Sequence, residues 1–167
     1  MVSSYAIDDG ERLLLFDPLA APRALEQRAA EREAVIVLTC PWHRRDAPGL
    51  AERLGAPIYV PPPDQGDPEP VRGELLEAGD LLPIGVEAFP GMERNDVVIW
   101  VESRGAVVAG DSLIDRGNGL EIPADWVGAG LEQVSASLRA LLERPVVHVL
   151  ATHGGPTDRA ALERALA

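Results

Sequence analysis

The sequence predicts an α+β fold, a four-layer αββα sandwich with helices outside two β-rich halves, and three observations carry that prediction. An apolar strand, a helix and a second strand follow one another over 34–60. Short apolar strands broken by Gly and Pro fill 81–109. The final third alternates amphipathic helix, strand and helix.

The elements follow in order. Tyr5–Ile7 and Leu13–Phe16 are short strands joined across Asp8-Asp9-Gly10-Glu11, and Asp-Gly is a strong hairpin signal. Pro22 opens a helical stretch through Arg32, with Leu25, Ala29 and Ala30 at helical spacing and the proline where its missing N–H costs nothing. Ala34–Thr39 is an unbroken apolar run, the pattern of a strand covered on both faces. Ala47–Leu54 reads as a helix stopped by Gly55, and Ile58–Val60 as the next strand, which completes a βαβ unit. Proline removes donors and restricts its neighbours, so Pro61–Pro70 reads as a surface loop internal to the domain.

Leu81–Ile84, Val86–Phe89, Val97–Val101 and Ala106–Ala109 read as strands, with Ser103-Arg104-Gly105 as a hairpin turn. Over Leu131–Leu142, the residues Leu131, Val134, Leu138, Leu141 and Leu142 fall on one helical face. Val146–Leu150 reads as the last strand and Asp158–Leu166 as the closing helix. His148, among valines, reads as a core or edge histidine.

Composition narrows the function classes. A chain of 167 residues that is 46% apolar buries a real core and is expected to form one domain over 1–167. A net charge of -12 opposes nucleic acid and the anionic face of a membrane, since either partner demands clustered cations. A small-molecule partner is expected instead, and exposed sheet edges are compatible with a homo-oligomer. All 15 basic residues are arginine, as a GC-rich bacterial genome would produce. One cysteine forms no intramolecular disulfide, the start lacks a basic stretch followed by an apolar core, and no apolar run approaches ~20 residues, so a cytoplasmic protein is expected.

Three segments carry the chemistry: Thr39-Cys40-Pro41-Trp42-His43-Arg44-Arg45-Asp46 after a strand, Ala109-Gly110-Asp111-Ser112-Leu113 after another, and Leu150-Ala151-Thr152-His153-Gly154-Gly155-Pro156 after a third. In order and spacing they resemble the metallo-β-lactamase fold superfamily, where the strands end in Thr-His-x-His-x-Asp-His, Gly-Asp and Gly-His-Gly. The resemblance runs from Tyr5 to Leu166 and implies an αββα sandwich with a shortened amino terminus, its opening strands short or missing. It also implies a metal site at one edge. On that pattern the four ligands of the first motif fall at Cys40, Trp42, Arg44 and Arg45, and the histidine of a Pro-Gly-His stretch falls at Met92. Asp111 and His153 alone keep the ligand type of the resembled family.

Each residue also has a plainer reading. Cys40 reads as a small buried hydrophobe, although a thiolate is a good zinc ligand and nearby cations could activate it as a nucleophile. Trp42 reads as core or pocket-wall packing. His43 lies one residue off the ligand register, so its side chain is expected to point elsewhere as a surface or hydrogen-bonded histidine, and Asp46 reads as a helix cap. Arg44 and Arg45 would repel a dication. A guanidinium paired with Asp111 would replace the charge of the metal, or both arginines face solvent. A thioether at Met92 is a poor zinc ligand.

Other chemistries find no motif. Ser112 lacks the Gly-x-Ser-x-Gly elbow, and without lysine no phosphate-binding Gly-x-x-x-x-Gly-Lys loop exists. The sequence therefore favours a non-catalytic binding protein without cofactor. Its cleft would be lined by Cys40, Trp42, His43, Arg44, Arg45, Met92, Asp111 and His153 and would suit a small, anionic ligand. The alternative is a metal-dependent hydrolase of a small ester, thioester or lactone, with zinc or iron on a reduced set of Cys40, His43, Asp111 and His153.

Overall fold

A computed structural model describes every residue except Asp64 and Pro68, and only the backbone of Ala129. The 61–70 loop expected from sequence therefore falls partly outside the described residues. Two compact units emerge, one spanning Ser4–Leu76 and the other combining Met1–Ser3 with Glu77–Ala167.

The amino-terminal unit is built on one five-stranded mixed sheet in sequence order. Its strands are β1 (Tyr5–Asp8), β2 (Arg12–Phe16), β3 (Glu33–Val37), β4 (Ile58–Val60) and β5 (Glu74–Leu75). β1 and β2 form the expected hairpin, Tyr5 opposite Phe16. The Asp9 carboxylate accepts from the N–H groups of Glu11 and Arg12, and Gly10 supplies the positive φ of the turn. β2, β3 and β4 run parallel, with Leu15 beside Ile36 and Ile36 beside Ile58. The first helix, α1 (Arg23–Ala29), is shorter than the periodicity suggests. The crossover between β3 and β4 is α2 (Ala47–Leu54), ended by Gly55 at φ 65°. That left-handed cap suits glycine. Leu13, Leu15, Ile36, Leu38 and Leu50 fill the core of this unit.

The carboxy-terminal unit holds a six-stranded mixed sheet and a small hairpin. Chain order gives β6 (Leu81–Leu82), β7 (Val86–Pro90), β8 (Val97–Val101), β9 (Ala106–Val108), β10 (Ile114–Asp115), β11 (Leu120–Glu121), β12 (His148–Leu150) and β13 (Pro156–Asp158). The large sheet reads β13-β12-β9-β8-β7-β6, antiparallel except between β9 and β12. Its helices are α3 (Ala124–Val127), α4 (Leu131–Leu138), continued by a 3-10 turn to Glu143, and α5 (Arg159–Ala165). Val134, Leu138 and Leu141 enter the core against Val98, Val107 and Val149, as the helical spacing required. Asp158 caps α5 by accepting from the Ala161 N–H.

Three local expectations are corrected. The residues before Gly105 form a 3-10 turn, Glu102–Arg104, and not a simple hairpin turn. β12 is not the last strand, because β13 folds back on it. His148 is exposed on an internal strand, neither core nor edge. Among the described residues no helix is long and apolar enough to cross a membrane.

Candidate functional site

Parallel pairing brings together the two residues that keep the expected ligand type. Val108 of β9 lies beside Leu150 of β12, and three residues beyond each partner come Asp111 and His153. The strand ends are pinned by the Ala109 N–H donating to Leu150 O (3.0 Å) and by the Thr152 hydroxyl donating to Gly110 O (2.5 Å). Gly110, at φ 55°, turns the chain so that Asp111 follows at once. His153 Nε2 then lies 3.2 Å from Asp111 Oδ1, the carboxylate nearly buried and the imidazole one-third exposed. The amino-terminal residues add a further strut, since Val2 bridges to His153 and the Ser3 hydroxyl donates to Gly154 O.

An aromatic wall stands beside this pair. Trp126 meets the imidazole of His153 edge-on at 5.5 Å, and the Arg116 guanidinium lies over the indole at 5.3 Å while pairing with Asp125. Next to it, Gly154 packs so tightly on Asp115 that a Cβ would lie 2.9 Å from the Asp115 Cβ. The wall is not legible in the sequence, because an isolated tryptophan in a four-residue helix has no periodic signal.

Met92 and Ser112 of the same unit meet over a buried carboxylate. The Ser112 hydroxyl donates to Asp96 Oδ2 at 2.5 Å, and the Met92 N–H donates to the Ser112 hydroxyl oxygen (2.7 Å) and to Asp96 Oδ2 (3.1 Å). Burial pushes the Asp96 carboxyl up to about 7, against the hydrogen bonds from Ser112 and Met92 that favour its charge.

In the amino-terminal unit, Cys40, Trp42 and His43 sit where β3 gives way to a 3-10 turn, Pro41–His43. Cys40 is fully buried, as expected of a small hydrophobe. His43 is buried too, because its Nδ1 lies 3.1 Å from Asp17 Oδ2 and 3.2 Å from the Thr39 hydroxyl. A carboxylate only accepts, so Asp17 selects the tautomer with the proton on Nδ1 and the lone pair on Nε2. Asp17 is itself fully buried and accepts from the Thr39 N–H (2.9 Å) and hydroxyl (2.7 Å). Asp17 at φ 45° and Arg45 at φ 41° both adopt the left-handed region. The Arg45 guanidinium donates to the Asp17 carbonyl at 2.8 Å, so one network holds both. Asp17 carries little signal in the sequence beyond being a carboxylate that ends the apolar run Leu13–Phe16.

Two side chains differ from expectation, and Arg44 follows one of its two alternatives. Trp42 is 41% exposed and so is not core packing. Arg44 pairs with the Glu69 carboxylate at 2.7 Å on a half-exposed side chain, as the solvent-facing alternative has it. Asp46 stands at the start of α2 without capping it by its side chain, and pairs with Arg53 at 3.2 Å.

No family model and no curated protein matches the sequence. Solved structures do match. TTHA1623 in a di-iron-bound form superposes with a TM-score of 0.71 at 26% identity, over 97% of this chain and 92% of that one. The DIM-1 metallo-β-lactamase gives 0.71 at 19%, over 99% and 83%. The metallo-β-lactamase family protein TTHA1429 from Thermus thermophilus gives 0.63 at 20%, over 99% and 72%. The chain has the metallo-β-lactamase fold at low sequence identity, with two mixed sheets and flanking helices.

Proposed function

We propose that this protein acts by binding a small molecule and not by metal-dependent hydrolysis. The observation that carries this is the chemistry at the positions where the resembled hydrolases gather their ligands. Trp42 and the guanidiniums of Arg44 and Arg45 have no lone pair to offer a cation. Arg44 is held by Glu69, and the Arg45 guanidinium donates to the Asp17 carbonyl. Met92 contributes a thioether, and its side chain packs against the core of the carboxy-terminal unit. A hydrolytic two-metal centre needs imidazoles and carboxylates converging on both ions. These donors do not fit one.

The ligand surface on this reading is the Asp111–His153 pair with its wall of Trp126 and Arg116. An imidazole edge, an indole face and a guanidinium suit a small, partly apolar anion. The test is hydrolysis of an ester, thioester and lactone panel after loading with zinc, iron or manganese. Turnover is expected to be the same in the unaltered chain, Asp111→Ala and His153→Ala. Metal-dependent turnover lost in both variants would overturn the reading.

One finding favours a second reading. TTHA1623 is di-iron-bound, and Cys40, His43 and Asp111 are buried residues of ligand type, with the one-third-exposed His153 beside Asp111 as a further donor. On that reading the protein hydrolyses a small ester, thioester or lactone with a reduced ligand set.

A further inference from the structure

We propose that the amino-terminal unit carries a separate site for a small organic carboxylate with an apolar tail, between the start of α2 and the chain entering β5. The site uses neither Asp111 nor His153, so it stands whether or not the protein holds a metal. Its floor is apolar: Pro48 and Ala51 of α2, Ile58 of β4, and Pro70 and Val71 of the incoming chain line one pocket. Ala51 and Val71 also pack against the core beneath. Its rim is cationic, formed by Arg44 and Arg72.

One wall of the pocket is held by strand pairing. β5 pairs parallel with β4, Tyr59 beside Glu74, and Gly73 lies so close to Ile58 that a Cβ would collide with the Ile58 carbonyl oxygen. Glycine at 73 therefore permits the approach that sets Arg72 on the rim. In a chain of net charge -12, a pocket whose charged lining among the described residues is two arginines, with Glu69 reaching one of them, runs against the composition.

The two cations differ in what they hold. Arg44 already grips one carboxylate, that of Glu69, whose side chain is 74% exposed. Arg72 is exposed and has no ion pair or hydrogen bond among the described residues. Glu69 thus shows how a carboxylate meets this rim, and an exposed ion pair is weak enough to be exchanged for a ligand whose tail covers the floor. The guanidinium fork matches a carboxylate head in two parallel hydrogen bonds. The structure thus assigns the pocket to an amphiphilic carboxylate, with Arg72 as the primary anchor and Glu69 as a built-in competitor for Arg44.

Calorimetric titration of the full chain with hexanoate, acetate and hexyl phosphate tests this. Hexanoate is expected to bind saturably and more tightly than acetate, with affinity about tenfold lower in Arg72→Ala and severalfold higher in Glu69→Gln. Absence of saturable hexanoate binding at ~10 mM would overturn the proposal. Equal affinity for hexanoate and acetate, an unaffected Arg72→Ala variant, or a preference for hexyl phosphate would each do the same.

Discussion

Asp96 shows how one side chain can set the response of this protein to pH. It is almost wholly buried, its Oδ2 takes two hydrogen bonds, and its Oδ1 has no hydrogen-bond partner among the described residues. With the carboxyl raised to about 7 from an ordinary 3.8, the folded state binds more protons than the unfolded chain between those values. Stability from this residue is therefore full below the unfolded value and is lost as pH rises through the window. Urea midpoints at ~pH 5 and ~pH 8 are expected to drop more in the unaltered chain than in Asp96→Asn, which keeps the neutral form throughout. Parallel changes in the two proteins would contradict the assignment. Nothing in the sequence marked Asp96, because its burial arises from long-range packing. Asp111 and His153 were legible because each ends a strand with a glycine beside it, a pattern confined to a few residues. His43 was half legible. Its hydrogen bonding was expected, but its partner Asp17 stands 26 residues away in the chain.

At the scale of elements, the close approach at Gly91 matters most for the candidate site. It follows β7, and a Cβ there would stand 2.6 Å from the Asp96 carbonyl oxygen and 2.7 Å from the Ser112 hydroxyl oxygen. Backbone cannot yield as a flexible side chain would. Gly91→Ala is expected to destabilise the protein by about 1–3 kcal/mol in urea denaturation. Gly155→Ala, with open space around its position, should change stability by less than ~0.5 kcal/mol. Equal effects would show that the packing around Asp96 is looser than described. The elements legible in sequence were those with a period or a terminator. α2 has Gly55 at its end, and β8 is an unbroken buried run. Strands β5, β10, β11 and β13 were missed because two or three residues carry no alternation, and their pairing is dictated by the neighbours they meet. The exposure of Trp42 was hidden for a related reason, since it depends on a turn that the strand pattern did not describe.

For the whole molecule, two β-rich halves with helices outside were legible because βαβ and meander patterns follow from short-range hydrophobic spacing. The fold was easier to read than the activity for a physical reason. A fold rests on dozens of buried apolar positions that tolerate exchange, whereas a metal centre rests on a few donor atoms that do not. On the proposed reading, indole, guanidinium and thioether side chains at Trp42, Arg44, Arg45 and Met92 stand in place of metal donors, while the sheets are kept. The most direct test is metal content, by plasma mass spectrometry on tag-free protein before and after loading with zinc, iron and manganese. Bound metal well below one equivalent in every preparation is the predicted result, whereas about one equivalent or more of tightly held metal, lost in His153→Ala, would contradict the account.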